Sequence, residues 1–113
     1  GSHVVSTLLD QEYSVIVVDD FSSSSESVLR SIAKICKCDL VEIDLNNADK
    51  IFTKLGKSRN FFLYAKAKCS DVNLVEKIFG SADIFGVIHL AGLKSVYDSV
   101  IEPLHYYSEN LHI

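Results

Sequence analysis

The first half of the chain alternates between apolar patterns typical of helices and of strands. Residues 1–9 carry apolar side chains at i, i+1, i+4 and i+5, which predicts a helix with one apolar face. Residues 15–20 are a β-branched run that ends in two aspartates, which predicts a buried strand. A serine-rich turn at 21–25 leads to a predicted helix at 26–35, and a short strand is predicted at 40–43.

The second half continues this alternation and contains the longest apolar run. Residues 72–79 have the apolar spacing of a helix, whereas residues 84–90 are almost continuously apolar and predict a strand covered on both faces. Residues 96–113 are mostly helical in pattern, with an interruption at Pro103. Alternating strands and helices predict an α/β fold, with a parallel sheet between two layers of helices.

Candidate ligand residues follow the predicted strands, at the carboxyl ends where parallel sheets bind ligands. The carboxylates of Asp19 and Asp20 could accept both ribose hydroxyls of an adenosine and would repel a 2′-phosphate; the alternative is an acidic turn in solvent. Asp44 could accept from an adenine amino group, although acids are common at strand ends. Ala91 and Gly92 would let the backbone approach a ligand closely, or they form an ordinary turn.

Other side chains with reactive or metal-binding groups predict no site. His89 lies inside the apolar run and is expected to be a hydrogen-bonded core histidine. Cys36, Cys38 and Cys69 are expected to be reduced, buried or half-buried thiols, because Cys-Lys-Cys is tighter than the usual zinc-loop spacing. We therefore predict no metal site.

The length and composition are those of one small globular domain. The chain has 113 residues, of which 48% are hydrophobic and 23% charged. No apolar run is long enough to cross a bilayer, and residues 1–10 lack the layout of a signal peptide. We therefore expect a cytoplasmic protein with no membrane partner.

The net charge of −4 conceals a basic segment at residues 47–70. This segment has six basic residues against one acidic residue, a balance of +5. A basic patch can indicate nucleic acid, but no platform of aromatic and basic residues accompanies it. Nucleic acid is therefore the weakest of the partner hypotheses, and we expect none.

Several stretches resemble UDP-galactose (UDP-glucose) 4-epimerases of the extended short-chain dehydrogenase/reductase family. They are Gly-Ser-His-Val-Val at 1–5, the run from Tyr13 to Ser25, Val-Glu-Ile-Asp-Leu at 41–45, the run from Val87 to Val96, and Glu-Pro-Leu-His-Tyr-Tyr at 102–107 leading to Asn110. The resemblance covers nearly the whole chain, but only the N-terminal part of such an enzyme.

The resemblance implies a fold, a cofactor and the residues that bind it. The fold would be a partial Rossmann domain over residues 1–113, a doubly wound parallel sheet lacking its first strand, which binds part of NAD. Gly1 would be the last glycine of the phosphate loop and Asp19 the ribose-binding acid, while Asp20 stands where the family usually has Asn. The implied cofactor-binding residues are Gly1, Asp19, Asp20, Phe21, Ser23, Ser24, Asp44, Leu45, Leu90, Ala91, Gly92, Lys94 and Asn110.

The resemblance also implies a reaction, and it places the catalytic residues of that reaction in another part of the whole protein. In the family, NAD takes a hydride from C4 of a UDP-sugar and returns it to the other face, with a tyrosine as base. That tyrosine, its lysine and a serine or threonine would lie beyond Ile113, so the chain alone is expected to be inactive and to bind NAD poorly. The parent protein would be a homodimer of galactose metabolism.

One short motif mimics that catalytic pair. Tyr64 and Lys68 satisfy Tyr-x-x-x-Lys, but they precede the fourth strand, whereas the family's pair follows the fifth. Patterns of this length arise often by chance, so we do not assign them as catalytic.

Residues 47–70 are interpreted as an insertion relative to the family. Joining residue 46 directly to residue 71 restores the family pattern, and the removed segment is the basic one. Two explanations stay open: a surface loop particular to this protein, or non-coding sequence that has been translated. Residues 61–64 could form a stray strand or a short helix.

Two other functions remain open. One is another nucleotide-sugar enzyme of the same family, a dehydratase or a decarboxylase. The other is a non-catalytic protein that keeps only partial NAD binding.

Overall fold

Six helices and three strands follow one another along residues 1–112, which the computed structural model describes. In chain order they are α1 (Ser2–Asp10), β1 (Val15–Asp19), α2 (Glu26–Cys36), β2 (Leu40–Glu42), α3 (Ala48–Leu55), β3 (Phe62–Lys66), α4 (Val72–Ser81), α5 (Val96–Ile101) and α6 (Pro103–Leu111). The strands form one parallel, open sheet in the order β1-β3-β2. The predicted α/β fold is confirmed, and the sheet is consistent with a partial Rossmann fold.

The middle strand of the sheet comes from the basic segment 47–70. Phe62 and Ala65 are fully buried and Leu63 is 1% exposed. β3 pairs with β1 along one edge and with β2 along the other, so both its edges and both its faces are covered. An unbroken apolar run is what such a strand requires. The interpretation of this segment as a surface loop is therefore wrong.

The side chains of β3 alternate between two apolar clusters, one on each face of the sheet. Phe62 and Tyr64 pack with Val5, Val15, Leu29, Ile32 and Ala33, toward α1 and α2. Leu63 and Ala65 pack with Ile43, Ala48, Phe52, Leu74 and Ile78, toward α3 and α4. This alternation follows from the two-residue period of a strand, and it makes β3 the element shared by both cores.

Side-chain caps fix where three of the helices begin, α2, α4 and α5. The Ser25 hydroxyl accepts a hydrogen bond from the Ser27 N–H at 3.3 Å, which starts α2 and confirms the predicted Ser-rich entry to this helix. The Asp71 carboxylate accepts from the Leu74 N–H at 3.1 Å and starts α4. α2 ends at Lys37, whose φ of 53° is the left-handed conformation common after helices.

The strand predicted at residues 84–90 does not form, and that prediction is wrong. The segment runs without strand pairing, and Phe85 is 97% exposed. His89 is exposed as well, so the expected core histidine is also wrong. The unpaired edges of this open sheet belong to β1 and β2, and residues 84–90 pair with neither. An apolar composition alone therefore did not bury this segment.

The remaining predictions on local structure agree with the structure. α5 and α6 are separated at Pro103, which occupies the first turn of α6, where its missing N–H costs nothing. The predicted end of this helical stretch at Ile113 lies outside the described residues. Cys36, Cys38 and Cys69 are free and half-buried, as expected. Among residues 1–112, none of the helices combines the length and apolar character needed to cross a membrane.

Candidate functional site

The turn after β1 is held by one oxygen of the Asp19 carboxylate. Oδ1 of Asp19 accepts hydrogen bonds from the Phe21 N–H at 2.7 Å and from the Ser24 hydroxyl at 3.3 Å. Oδ2 has no hydrogen-bond partner within residues 1–112. Asp19 therefore uses one oxygen to shape the turn and keeps the other available to a ligand.

Phe21 adopts a strained backbone conformation in this turn. Its φ of 56° lies in the left-handed region, which costs a residue other than glycine about 1–2 kcal/mol. Its ring makes an edge-to-face contact with Tyr64 of β3, with ring centroids 6.1 Å apart. Strain of this kind persists where the surroundings over-determine the conformation, and it is common at binding sites. The middle strand thus helps to fix the shape of the turn.

Asp20 forms a second small network within the turn. Its Oδ1 accepts from the Ser22 N–H at 3.0 Å and from the Ser22 hydroxyl at 2.7 Å. These hydrogen bonds, with a smaller contribution from Lys68, hold the pKa of the Asp20 carboxyl below its usual value. Ser23 is exposed and its side chain makes no hydrogen bond to the described part of the chain. The turn therefore presents negative charge and serine hydroxyls to solvent.

Asp44 and Leu45 follow β2, but the structure does not bring them next to Asp19. Asp19 lies opposite Lys66 in the sheet, and Glu42 lies opposite Tyr64. The Ile43 N–H donates to the Tyr64 carbonyl at 2.8 Å, so Asp44 continues this register to the level of Lys66. Two strand spacings, about 10 Å, therefore separate the backbones of Asp19 and Asp44.

Asp44 shapes its own turn and borders a shallow groove. Its Oδ1 accepts from the N–H groups of Asn46 and Asn47, both at 2.8 Å. The groove, of about 240 Å³, opens between the ends of β2 and β3. Its lining residues are Glu42, Ile43, Asp44, Leu45, Asn46, Lys66, Ala67, Asp71 and Leu74. This volume is below the range of pockets that enclose a drug-sized ligand.

Residues 90–94 form an exposed loop instead of a strand end. Within it, Gly92 has a φ of 149°, a conformation that favours glycine. Asn110 of α6 clamps the backbone of Leu93: its Oδ1 accepts from the Leu93 N–H at 2.8 Å and its Nδ2 donates to the Leu93 carbonyl at 3.2 Å. The predicted residues Leu90, Ala91, Gly92 and Lys94 are all exposed in this loop, and Gly1 is exposed before α1.

Tyr64 is buried between two carboxylates, an environment that opposes its use as a base. Its hydroxyl donates to Glu26 at 2.8 Å, and Glu42 lies 3.2 Å away. Burial first, then the two carboxylates, raise the pKa of Tyr64 to about 12. Lys68 is bound to Glu109 at 2.9 Å. This geometry agrees with the rejection of Tyr64 and Lys68 as a catalytic pair.

The roles of two residues at this edge of the sheet were not predicted, although Tyr64 was considered there as part of a short motif. Tyr64 supports the turn through Phe21, and Lys66 stands directly beside Asp19 in the register. Both lie on β3, in a segment that had been set aside as foreign to the fold. The signal that could have found them is the run Phe-Phe-Leu-Tyr-Ala, which has the aromatic, apolar composition of a buried strand.

A parallel sheet with helices on both faces, and a polar turn at the carboxyl end of its first strand, defines the doubly wound α/β class of protein. Comparison with protein families assigns the chain to one family within this class. The family described as "NAD dependent epimerase/dehydratase family" matches residues 1–113, and the chain belongs to this family. The predicted membership is confirmed.

Similar proteins among known sequences include several UDP-glucose 4-epimerases. The chain is 36% identical over 111 residues to the UDP-glucose 4-epimerase of Yersinia enterocolitica. It is 33% identical to UDP-glucose 4-epimerase 2 of Arabidopsis thaliana and to the enzyme of Bacillus subtilis (strain 168), over the same length. Each match covers 98% of this chain and 26% of the relative. The chain thus spans about a quarter of the length of these relatives.

Proposed function

We propose that the chain is the cofactor-binding part of an NAD-dependent UDP-galactose/UDP-glucose 4-epimerase. The observation that carries the proposal is the turn after β1, where one carboxylate oxygen of Asp19 has no partner within residues 1–112 and four serines follow. Family membership and the names of the relatives support the same reading. A free carboxylate oxygen at a strand end can accept both hydroxyls of an adenosine ribose.

The residues of the turn fit this role in their present geometry. The bonds to Phe21 and Ser24 orient the carboxylate before any ligand binds, so little ordering is needed on binding. Bound NAD would supply a hydride acceptor for C4 of the sugar. The part of this chain would be to bind and orient the adenosine end.

The other residues of the proposed cofactor site are less well organised. Asp44 and Leu45 would contact the adenine, Gly1 and residues 90–94 the pyrophosphate and its ribose, and Asn110 the cofactor side of the loop. In the structure Asn110 already holds Leu93, which supports a positioning role for it. Residues 90–94 and Gly1 are exposed, so these contacts would depend on parts of the protein outside the chain.

We assign no catalytic residue within the chain and expect it to be inactive alone. The proposed substrate of the whole protein is a UDP-sugar, the proposed assembly is a homodimer, and the proposed location is the cytoplasm.

The alternative, a nucleotide-sugar dehydratase, is favoured by one observation, the inclusion of dehydratases in the matched family. An epimerase assay of the whole protein with UDP-galactose separates the two.

The proposal also includes the reading of residues 47–70 as an insertion relative to the family. Its central place in the sheet and its fully buried side chains support a folded, translated segment over translated non-coding sequence. Peptide mass spectrometry of the natural protein tests this reading. Peptides spanning 46–71 without the segment would contradict it.

The proposed ribose contact is tested by Asp19→Asn. Asparagine keeps the oxygen that holds the turn but loses the second acceptor, so NAD should bind about tenfold more weakly. Asp39→Asn is the matched control, because Asp39 is an exposed acid at the opposite edge of the sheet, before β2. NMR titration measures both. Equal binding by the two variants, or no NAD binding by the unchanged chain, would contradict the proposal.

A further inference from the structure

The residues that follow β3 are fastened against the carboxyl end of β1. The Ala67 N–H donates a hydrogen bond to the Asp19 carbonyl at 3.1 Å. The Cys69 thiol donates to the Val18 carbonyl at 3.9 Å. Lys68 stands between these two contacts in the sequence. Its backbone is therefore held beside the turn that follows β1.

The side chain of Lys68 forms an ion pair with α6. Its Nζ lies 2.9 Å from Oε2 of Glu109. The contact raises the pKa of the Lys68 ammonium and lowers the pKa of the Glu109 carboxyl, so both groups are charged at neutral pH. In the part of the chain that the structure describes, it is the one ion pair between residues 1–82 and residues 83–112.

α6 also orders the loop 90–94, through the residue that follows Glu109. Asn110 accepts from the Leu93 N–H at 2.8 Å and donates to the Leu93 carbonyl at 3.2 Å. The ion pair and this clamp thus lie on neighbouring residues of one helix. The loop is therefore connected through α6 to Lys68, and through Lys68 to the turn after β1.

The sheet itself does not fix where this loop lies. Residues 84–90, which lead into the loop, pair with no strand. Ile84 packs on the cluster that faces α3 and α4, but every residue from Phe85 to the end of the loop is exposed. The position of the loop relative to the turn therefore depends on the contact between Lys68 and Glu109.

We propose that Lys68 is a positioning residue for the cofactor, because its ion pair with Glu109 sets the distance between the turn 20–24 and the loop 90–94. This inference rests on the proposed function, in which the turn binds the adenosine and the loop binds the pyrophosphate and the other ribose. Two subsites held at a set distance bind a ligand that spans both more tightly. An exposed ion pair adds little to stability, so its contribution here is to geometry. Lys68 belongs to the segment 47–70, so the bridge comes from the proposed insertion.

The experiment compares two probes: adenosine, which is uncharged and reaches the turn alone, and NAD, which spans the turn and the loop. Both are titrated into the whole chain and into Lys68→Met, with NMR shifts of the amides of residues 20–24 and of Leu93 as the readout. Lys68→Met should weaken NAD binding about threefold and leave adenosine binding unchanged. Lys68→Arg keeps a cation that can pair with Glu109 and should restore NAD binding.

Glu109→Gln separates positioning from a direct contact of Lys68 with the cofactor. If Lys68 acts through α6, Glu109→Gln should weaken NAD as much as Lys68→Met, and the double variant should lose no more than either alone. The two variants change the charge in opposite directions, so equal losses cannot come from the overall field of the protein. Lys77→Met is the matched control, because it removes the ion pair with Asp49 between α3 and α4, and it should change neither probe.

The outcomes separate this inference from the proposed function. If Lys68→Met and Glu109→Gln both weaken NAD and leave adenosine unchanged, the inference holds. If only one of the two variants weakens NAD, if neither does, or if adenosine weakens equally, the inference is overturned while the ribose site at Asp19 stands. If neither probe shifts the turn amides, the proposed function and the inference both fail.

Discussion

Residues 62–66 and 84–90 are both apolar runs, but the first is buried in the sheet and the second is largely exposed. Phe62 is fully buried in the middle of the sheet, whereas Phe85 is 97% exposed. The first run has a strand to pair with on each side; the second has no strand pairing at all. The buried run is the one that pairs on both edges and is covered by helices on both faces.

The same contrast divides the whole chain. Residues 1–82 contain all the buried side chains, in the two clusters on either face of β3. No side chain in residues 83–112 is buried, although α5 and α6 carry large apolar groups such as Val96, Tyr97 and Leu104. Segments with few buried contacts open at low free energy. We therefore expect the stability of the chain to reside almost wholly in its first 82 residues.

Phe62→Ala should give the largest effect, because it removes a fully buried ring from the strand shared by both cores. The expected loss is about 3–5 kcal/mol of unfolding free energy. Phe85→Ala is the matched control, the same change in the exposed run, and should stay within about 0.5 kcal/mol. Urea unfolding followed by circular dichroism measures both. A large cost for Phe85→Ala would mean that the 84–90 run is buried in solution.

Tyr64→Phe tests a smaller part of the same core. Loss of the hydrogen bond from the phenol to Glu26, with Glu42 beside it, should cost about 1 kcal/mol at neutral pH. The folded pKa is about 12 against an ordinary 10, so the folded state retains the phenol proton between these values. Stability should therefore fall as pH rises from 10 to 12.

Comparing the unchanged chain with Tyr64→Phe between pH 10 and 12 separates the contribution of the Tyr64 phenol from that of other titrating groups. The unfolding free energy of the unchanged chain should fall more steeply with pH than that of Tyr64→Phe, and the two curves should converge. Urea unfolding at several pH values supplies the data. Parallel curves would show that the phenol titrates alike in the folded and unfolded states.

Most helices and the two flanking strands could be predicted from local pattern. The spacing in residues 1–9, the β-branched run before Asp19 and the Ser25 entry to α2 are all short-range signals. The spacing of apolar residues predicts whether a segment is a helix or a strand, because side chains repeat with different periods in the two. It also correctly located the turn after β1, where the structure has Asp19 with one free oxygen.

The sheet order and the position of Lys66 beside Asp19 could not be predicted in the same way. Which strand lies in the middle depends on pairing between segments that are far apart in the sequence. Family resemblance favoured residues 84–90 and set aside residues 62–66, but the structure buries the latter. Lys66 beside Asp19 is a consequence of that order. No local pattern contains this information.

Asn110→Ala should give the smallest effect, confined to the exposed residues 83–112. It removes both hydrogen bonds to Leu93, and the Leu93 amide should exchange with solvent about tenfold faster. The urea midpoint should not move, because neither residue belongs to a core cluster. Asn73→Ala on α4 is the control, since its exposed side chain makes no hydrogen bond within residues 1–112.

Hydrogen exchange followed by NMR distinguishes the two outcomes for Asn110. Faster exchange at Leu93 with an unchanged midpoint means that the 90–94 loop is ordered by a local clamp, independently of the sheet. A shifted midpoint would instead mean that residues 83–112 are coupled to the core, through the packing of Ile84 on the cluster facing α3 and α4 and the Lys68–Glu109 ion pair. The division of the chain at residue 82 would then be too sharp, and α6 would belong to the cooperative unit of the sheet.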